Sequence, residues 1–371
     1  MTAVNDRHRQ GLLPDAPGDD LAQQYVALPT TTTRTPELLL FMREIDESTP
    51  MAHSELLAAV RRPLSPDSQI EVQSRRDEYE LVQEILEKDD AKYPRLQYDG
   101  RRKVAIIVAA PSPLHGQMVG DLMININDAV KSVQGLDANI KGRLSYSSEM
   151  SNTTYIGDSS TTRNWDGALR YRSSEGYILM VAVEVGMSQT SDSLRAAISY
   201  SVCDLHCRVG ITMCIDEGHR GPRAPIQYYS TAQERDNAMQ QAERQLRTEL
   251  RNNRYGPLVL NGFTWYGMVK RVVVETFRQE EEDTLSPGTL LDPTQSFGIV
   301  EEGRFVGGDV PSNLSELSLA DCIPTHILSG NMIAATPLNF FSQEWFEESF
   351  GLSMLETALE RIKNKSEIRQ A

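Results

Sequence analysis

The sequence has few cysteines, no long apolar run and no secretory leader, and each absence removes a class of protein. Its 371 residues include four cysteines, too few for a disulfide framework in a chain of this size. No apolar run approaches the roughly 18 residues that cross a bilayer, and the first residues lack the apolar core of a signal peptide. We therefore expect a soluble intracellular protein, cytoplasmic or nuclear, with no membrane partner.

Basic character is also lacking. The formal net charge is −15, whereas broad, non-specific binding of nucleic acid needs a basic surface. The acidity is uneven, however, because residues 131–220 contain 9 Lys and Arg against 10 Asp and Glu. Nucleic acid is thus disfavoured as a partner but stays open.

Several catalytic and metal-binding motifs are missing as well. No GxGxxG, Walker A, HExxH or GxSxG pattern occurs, which disfavours phosphate-loop nucleotide binding, zinc proteolysis and serine hydrolysis. "CDLHC" places Cys203 and Cys207 one helical turn apart. A structural zinc site needs four ligands and no second pair accompanies them, so we interpret both as reduced thiols packed under a sheet.

The chain divides into four segments by composition and periodicity. Residues 1–36 are rich in Asp, Pro, Gln and Thr and read as a disordered arm. Residues 37–100 carry three helical stretches, the last of them at 68–88, and form a helical accessory segment that could bind a protein partner. A core at 101–278 and a C-terminal segment at 279–371 follow.

The core has the most regular pattern. The predicted elements are a strand at 103–110, a helix at 113–134, strands at 143–148, 166–172 and 176–185, a helix at 190–205 and a strand at 208–215. From 113 onward the order is αβββαβ. The tight turn "SSEG" at 173–176 predicts that the second and third of these strands form a hairpin. His115, at the start of the first helix, is interpreted as a capping or surface histidine.

The remainder reads as an α+β extension. A polar helix is predicted at 232–253, and Asn261-Gly262 predicts a two-residue hairpin turn. An irregular stretch at 284–338 leads to a final amphipathic helix that packs on the core. The fold class is α/β.

The predicted hairpin carries two acids that are candidate functional residues. Asp166 opens one strand and Glu184 closes its antiparallel neighbour, so the hairpin brings both to the same end of the sheet. Two adjacent carboxylates repel unless they share a proton or a cation, and Mg²⁺ takes one or two carboxylates with waters. The alternative is that Glu184 faces solvent and Asp166 begins a turn.

"WDG" at 165–167 and "VEVGMSQ" at 183–189, in that element order, resemble the PD-(D/E)XK nuclease superfamily. More narrowly they are similar to fungal nuclease-like proteins with an EVGxSQ signature. The similarity covers about 110–220 and implies a restriction-endonuclease-like αβββαβ core, flanked by N-terminal helices and a C-terminal α+β extension.

That resemblance implies roles for individual residues. Asp166 and Glu184 would be the two metal-binding acids, the carbonyl of Val185 a further ligand, and Mg²⁺ or Mn²⁺ the cofactor. Gln189 would orient a water for catalysis. The motif lysine expected two residues after the glutamate is replaced by Gly186, which removes a charge that would stabilise the transition state.

Three further residues could compensate for this departure. Arg195 on the following helix and Lys141 before the first core strand are candidate migrated cations, and Glu149 is a candidate third acid.

Two functions therefore remain open. The first is a Mg²⁺-dependent nuclease acting on DNA or RNA. The second is a catalytically inactive nuclease-like fold that binds protein or nucleic acid, because fold alone does not imply activity. In that case the hairpin carrying Trp265, Tyr266, Lys270 and Arg271 could contribute to the partner surface. Nothing in the sequence indicates an oligomeric state.

Overall fold

A computed structural model describes residues 54–88, 93–156, 159–187, 191–278, 289–307, 316–328 and 332–369. These residues belong to one compact unit, His53–Ala371. The predicted disordered arm at 1–36 and the candidate Gln189 lie outside the described residues.

Helices and strands alternate along much of this unit. The helices are α1 (Glu55–Val60), α2 (Arg76–Lys88), α3 (Pro113–Ser132), α4 (Ala138–Lys141), α5 (Ser191–Ser199), α6 (Ala232–Asn252), α7 (Leu319–Cys322), α8 (Thr325–Leu328) and α9 (Gln343–Lys363). The strands are β1 (Gln69–Gln73), β2 (Arg95–Asp99), β3 (Val104–Val108), β4 (Leu144–Ile156), β5 (Ser159–Arg172), β6 (Tyr177–Met187), β7 (Val209–Glu217), β8 (Gln227–Tyr229), β9 (Leu258–Leu260), β10 (Phe263–Tyr266), β11 (Val269–Arg278), β12 (Gln295–Glu301), β13 (Arg304–Phe305) and β14 (Ser366–Ile368).

A large mixed sheet organises the described residues. Ten strands pair in the order β1-β3-β2-β5-β6-β7-β11-β12-β13, with β4 also paired to β5. The β5–β6 pair is antiparallel and the β6–β7 pair is parallel. The predicted succession of helix, three strands, helix and strand is therefore present as α3, β4, β5, β6, α5 and β7, and the protein is of the mixed α/β class.

The helical description of 37–100 is wrong in two places. Residues Gln69–Gln73 form a strand paired with β3, and Arg95–Asp99 form a strand paired with β3 and β5. The physical reason is visible at β1, where Ile70 and Val72 alternate with polar residues at the period of a strand. The sheet thus extends into the segment that we expected to be helical. Residues 37–53 lie outside the described part.

The hairpin strands are longer than predicted. The strand expected at 166–172 begins at Ser159, and the one expected at 143–148 continues to Ile156. The added stretches are rich in Ser and Thr, whose β-branched or small polar side chains suit a paired strand but carry no apolar alternation. Asp166 consequently lies within β5 and does not open it.

Two further predictions change after β6. The helix expected at 190–205 ends as an α-helix at Ser199 and continues as a π-helical turn, Tyr200–Asp204. The stretch expected to be irregular at 284–338 contains β12 and β13, because β12 pairs with β11 along the edge of the large sheet.

The predicted turn at Asn261-Gly262 is confirmed. Both residues have positive φ, 53° and 79°, as a type I′ turn requires. The segment after this turn forms two strands and not one. Strand β10 pairs with β9, whereas β11 joins the large sheet beside β7.

Helix α3 places the residues discussed below. Ser112 is its N-cap and Pro113 opens it, a position where the missing proline N–H is not needed. The predicted apolar stripe is buried against the sheet, namely Leu114, Met118, Leu122, Ile126 and Val130. On its other side α3 contacts α9, and the Thr357 hydroxyl accepts a hydrogen bond from Leu114 N at 3.0 Å.

Within the described ranges, none of the helices combines the length and apolar character of a membrane-spanning segment.

Candidate active site

The β5–β6 hairpin brings the two acids together, as predicted. Gly167 pairs with Val183 at this end of the hairpin, and Asp166 and Glu184 are the next residues on their two strands. Asp166 Oδ2 accepts a hydrogen bond from Val185 N at 2.8 Å. The alternative in which Glu184 faces solvent is wrong, because only 8% of this residue is exposed.

His115 lies at the centre of the site, and its interpretation as a capping or surface residue is wrong. Its Nε2 is 3.1 Å from Asp166 Oδ2, and its Nδ1 is 3.1 Å from Asp67 Oδ1. Asp67 is held in turn by Ser112 N, which donates to the same oxygen at 2.8 Å. The imidazole thus bridges two carboxylates from separate parts of the chain.

These contacts decide the charge of His115. Burial alone lowers the pKa of this imidazole, but the charge of Asp166 and the hydrogen bonds to Asp166 and Asp67 raise it to about 10. His115 is therefore protonated near neutral pH, when both ring nitrogens are donors.

The pKa values of Asp166 and Glu184 are shifted in opposite directions. Burial favours a raised pKa at Asp166, but the His115 charge and the hydrogen bonds from His115 and Val185 N hold that pKa below its ordinary value. Burial, followed by the charge of Asp166, raises the pKa of Glu184 well above its ordinary value. Within the pair, ionisation is therefore favoured at Asp166 and disfavoured at Glu184.

Arg163 is a cation close to this pair that sequence analysis did not single out. Its charge opposes the rise in the Glu184 pKa. Its Nη1 donates to Gln97 Oε1 at 3.2 Å, and its Nη2 is 3.6 Å from Asp99 Oδ2. Because Gln97 and Asp99 belong to β2, this cation depends on the strand that we had assigned to a helical segment.

Gly186 leaves no room for the motif lysine. A Cβ at this position would lie 2.6 Å from Cδ1 of Leu194, a buried residue of α5. Any side chain at 186 would need Leu194 to move, so the glycine is fixed by packing between β6 and α5.

Each of the two candidate migrated cations is bound to a group outside the acid pair. Arg195 forms two bonds to Glu275 on β11, at 3.2 and 2.8 Å. Lys141 Nζ binds the carbonyl oxygens of Lys131 and Val133, at the far end of α3. That helix has 20 residues, which is about 30 Å, and His115 is at its other end. The side chain of Glu149 and all of Gln189 lie outside the described part of the chain.

Other residues that the sequence analysis considered are packed in the interior of the protein. The Cys207 thiol donates to the carbonyl oxygens of Met180 and Val209, and burial raises its pKa to about 12. Trp265 and Tyr266 are buried, so they cannot form a partner surface. Lys270 and Arg271 of the same hairpin arm are exposed.

The acid pair has some of the donor groups that a divalent metal site requires. Among the described residues, no three His, Cys, Asp or Glu side chains are arranged to hold a metal ion. Asp166 and Glu184 nevertheless offer carboxylate oxygens, the donors that Mg²⁺ and Mn²⁺ prefer. Burial and the charge of Asp166 raise the pKa of Glu184, so a second negative charge at this pair is disfavoured without a further cation.

Two residues of this site, Asp67 and His115, were missed from the sequence. Asp67 is in a loop before β1 and comes to His115 only because β1 pairs with β3. The place of His115 at the start of a predicted helix was the one local signal, and it does not distinguish a capping residue from a buried one.

Comparisons of the chain with protein-family models, with curated proteins and with solved structures gave no significant match.

Proposed function

We propose that the chain is a restriction-endonuclease-like protein in which Asp166 and Glu184 form the centre of a divalent-metal-dependent nuclease acting on DNA or RNA. The observation that carries this proposal is the meeting of Asp166 and Glu184 at adjoining positions of β5 and β6, with Glu184 buried and His115 bonded to Asp166. Gathering three ionisable groups with little exposure to water is costly to folding, and such clusters concentrate at functional sites.

The donor chemistry supports a divalent metal at this pair. Asp166 and Glu184 would hold it, with the carbonyl of Val185 as a further ligand. A dication would compensate the negative charge that the fold leaves on Glu184 when its proton is lost. When bound, the metal would polarise a phosphoryl oxygen and neutralise charge that develops during cleavage.

The protein's own residues prepare the pair. His115, protonated and anchored by Asp67, orients Asp166 and keeps it ionised. Val185 N fixes the same carboxylate oxygen. Arg163 adds positive charge near Glu184, which favours an anionic substrate in the absence of the motif lysine.

A second candidate function is favoured by Gly186. The contact of this position with Leu194 closes the place of the motif lysine, and Arg195 is committed to Glu275. A fold with the acid pair but no lysine fits a nuclease-like module that binds protein or nucleic acid without cleaving it.

Calorimetric titration with Mg²⁺ and Mn²⁺ tests the first proposal, together with cleavage assays on plasmid and on single-stranded DNA and RNA. We compare wild type with Asp166→Asn and Glu184→Gln. Glu175→Gln is the matched control, because Glu175 is exposed in the turn of the same hairpin.

The nuclease proposal expects metal binding and cleavage in wild type and in the control, and loss of both in the two site variants. Metal binding without cleavage would support the inactive module. If no metal binds, the acid pair is not a metal centre and the enzyme proposal fails.

A further inference from the structure

The turn end of the β5–β6 hairpin is basic, although the protein as a whole is acidic. Residues 140–146 and 169–180 contain four Lys and Arg, and Glu175 is their one acid, whereas the whole chain has a formal net charge of −15. The two stretches lie side by side because β4 pairs with β5 and β5 pairs with β6. A local excess of positive charge of this kind attracts an anionic partner.

Three of these cations are held close together by strand pairing. Arg172 N donates a hydrogen bond to the carbonyl oxygen of Arg143 at 2.9 Å, so these two residues are direct neighbours. Arg170 is two residues before Arg172 on β5, which is about 7 Å along the strand and on the same face. We call Arg143, Arg170 and Arg172 the arginine cluster.

The two arginines of β5 lie on the face of the sheet that is turned away from the main core. Leu169 and Tyr171 alternate with them and are buried in the core that also contains the apolar face of α3, and successive side chains of a strand point to opposite faces. Arg172 pairs with Tyr177 on β6. Since directly paired residues have their side chains on one face, Tyr177 belongs to the same surface.

The charges of the arginine cluster lack an acidic partner among the described residues. Arg143 and Arg172 are exposed, and Arg170 is partly buried. Within the part of the chain that the structure describes, none of the three forms an ion pair. Like charges on neighbouring strands repel each other, so an anion bound at this surface would relieve an unfavourable interaction.

An aromatic ring accompanies the cations. The guanidinium carbon of Arg170 lies 4.5 Å from the centre of the Tyr177 ring, and 56% of Tyr177 is exposed. Exposed rings beside cations are the combination by which proteins bind single-stranded nucleic acid, because bases stack on the rings while phosphates contact the cations. An acidic peptide would use the arginines but would gain nothing from the ring.

We propose that the arginine cluster and Tyr177 form a binding surface for single-stranded nucleic acid. Neighbouring phosphates contact the three arginines, and a base stacks on the exposed part of the Tyr177 ring. Arg170 and Arg172 are four and six residues from Asp166 on β5, about 13 and 20 Å along the strand, so this surface is separate from the acid pair. The inference thus goes beyond the nuclease proposal and does not depend on it.

Fluorescence anisotropy of labelled single-stranded DNA and RNA tests this surface, with the full chain in EDTA. Because EDTA removes divalent ions, the result does not depend on the proposed metal centre. The double variant Arg143→Ala, Arg172→Ala removes two exposed cations of the cluster. Arg244→Ala, Arg251→Ala is the matched control, because it removes two exposed arginines from α6.

We expect the control to bind like wild type, and the double variant to bind at least about tenfold more weakly at low salt. The slope of log affinity against log salt concentration should be less steep in the double variant by about 1.4, since each phosphate contact with a single strand contributes about 0.7. Tyr177→Ala should weaken binding at least about fivefold with an unchanged slope, because it removes stacking and no charge. Tyr177→Phe should bind like wild type.

The proposal is overturned if wild type does not bind at micromolar concentration in about 50 mM salt, or if the double variant binds as well as its control. An unchanged affinity in Tyr177→Ala would also overturn it. The same holds if polyglutamate or duplex DNA binds as tightly as the single strand, because base stacking would then contribute nothing.

Discussion

His115 Nε2 and Asp166 Oδ2 lie 3.1 Å apart, at the meeting of helix α3 and strand β5. This one contact joins the face of the sheet that carries the acid pair to the loop that carries Asp67, since His115 Nδ1 binds Asp67 on its other side. The imidazolium is the counter-ion that allows Asp166 to stay ionised beside Glu184. The predictions below follow from this arrangement.

His115→Gln should lower the free energy of unfolding by about 3–5 kcal/mol, because removing one partner of a buried pair leaves an uncompensated charge. Urea denaturation at pH 7 measures the change. His206→Asn is the control, since His206 is exposed and has a φ of 54° that asparagine tolerates. A loss below about 1 kcal/mol in His115→Gln would show that the contact is not a buried ion pair.

Stability should depend on pH at both ends of the range. The pKa of His115 is raised from 6.5 to about 10, so its contribution is complete below 6.5 and is lost as the pH rises toward 10. The pKa of Asp166 is lowered from 3.8, so its contribution is present above 3.8 and is lost as the pH falls through the lowered value. Urea unfolding of wild type and His115→Gln from pH 6 to 10 should give curves that converge at the alkaline end; parallel curves would contradict the assignment.

The two acids should respond differently to neutralisation in the metal-free protein. Asp166→Asn removes one of the two carboxylates that hold His115 and should destabilise the protein by about 1–3 kcal/mol. Glu184→Gln should not destabilise the protein at pH 8, because the fold disfavours ionisation of Glu184, whose pKa is raised well above 4.5. Thermal and urea unfolding of both variants check this asymmetry. Equal losses would mean that Glu184 is ionised and paired.

Gly186→Ala should destabilise the protein by about 1–3 kcal/mol, because the new methyl group would overlap Leu194. Adding Leu194→Ala should recover part of that loss, as coupled neighbours do in a double-mutant cycle. Gly120→Ala on α3 is the matched control, since nothing lies within 4 Å of its Cβ position, and it should gain about 0.5–1 kcal/mol. Additive effects at 186 and 194 would refute the contact.

Much of the arrangement of the acids could be predicted from sequence. The short turn at 173–176 and the apolar strands around it specify the hairpin, and the hairpin specifies that Asp166 and Glu184 meet. These are local relationships, within 18 positions of each other, and the strand period carries them.

The rest of the site depends on long-range contacts that no local pattern reveals. Asp67 reaches His115 across 48 positions, and Arg163 is held by Gln97 from a strand that we took for part of a helical segment. In β1, Ile70 and Val72 have the period of a strand, but two apolar residues are too few to specify a strand without its pairing to β3. Leu194 closes Gly186 through helix packing, which the motif alone could not indicate.

The hydrogen bond between Leu114 N and the Thr357 hydroxyl forms late in the synthesis of these residues. The two residues are 243 positions apart, a distance that takes about 10–50 s to synthesise at roughly 5–20 residues per second. Helix α3 therefore leaves the ribosome long before the partner that binds its first turn exists. The first turn of that helix, which carries His115, therefore gains this bond only after α9 has been made.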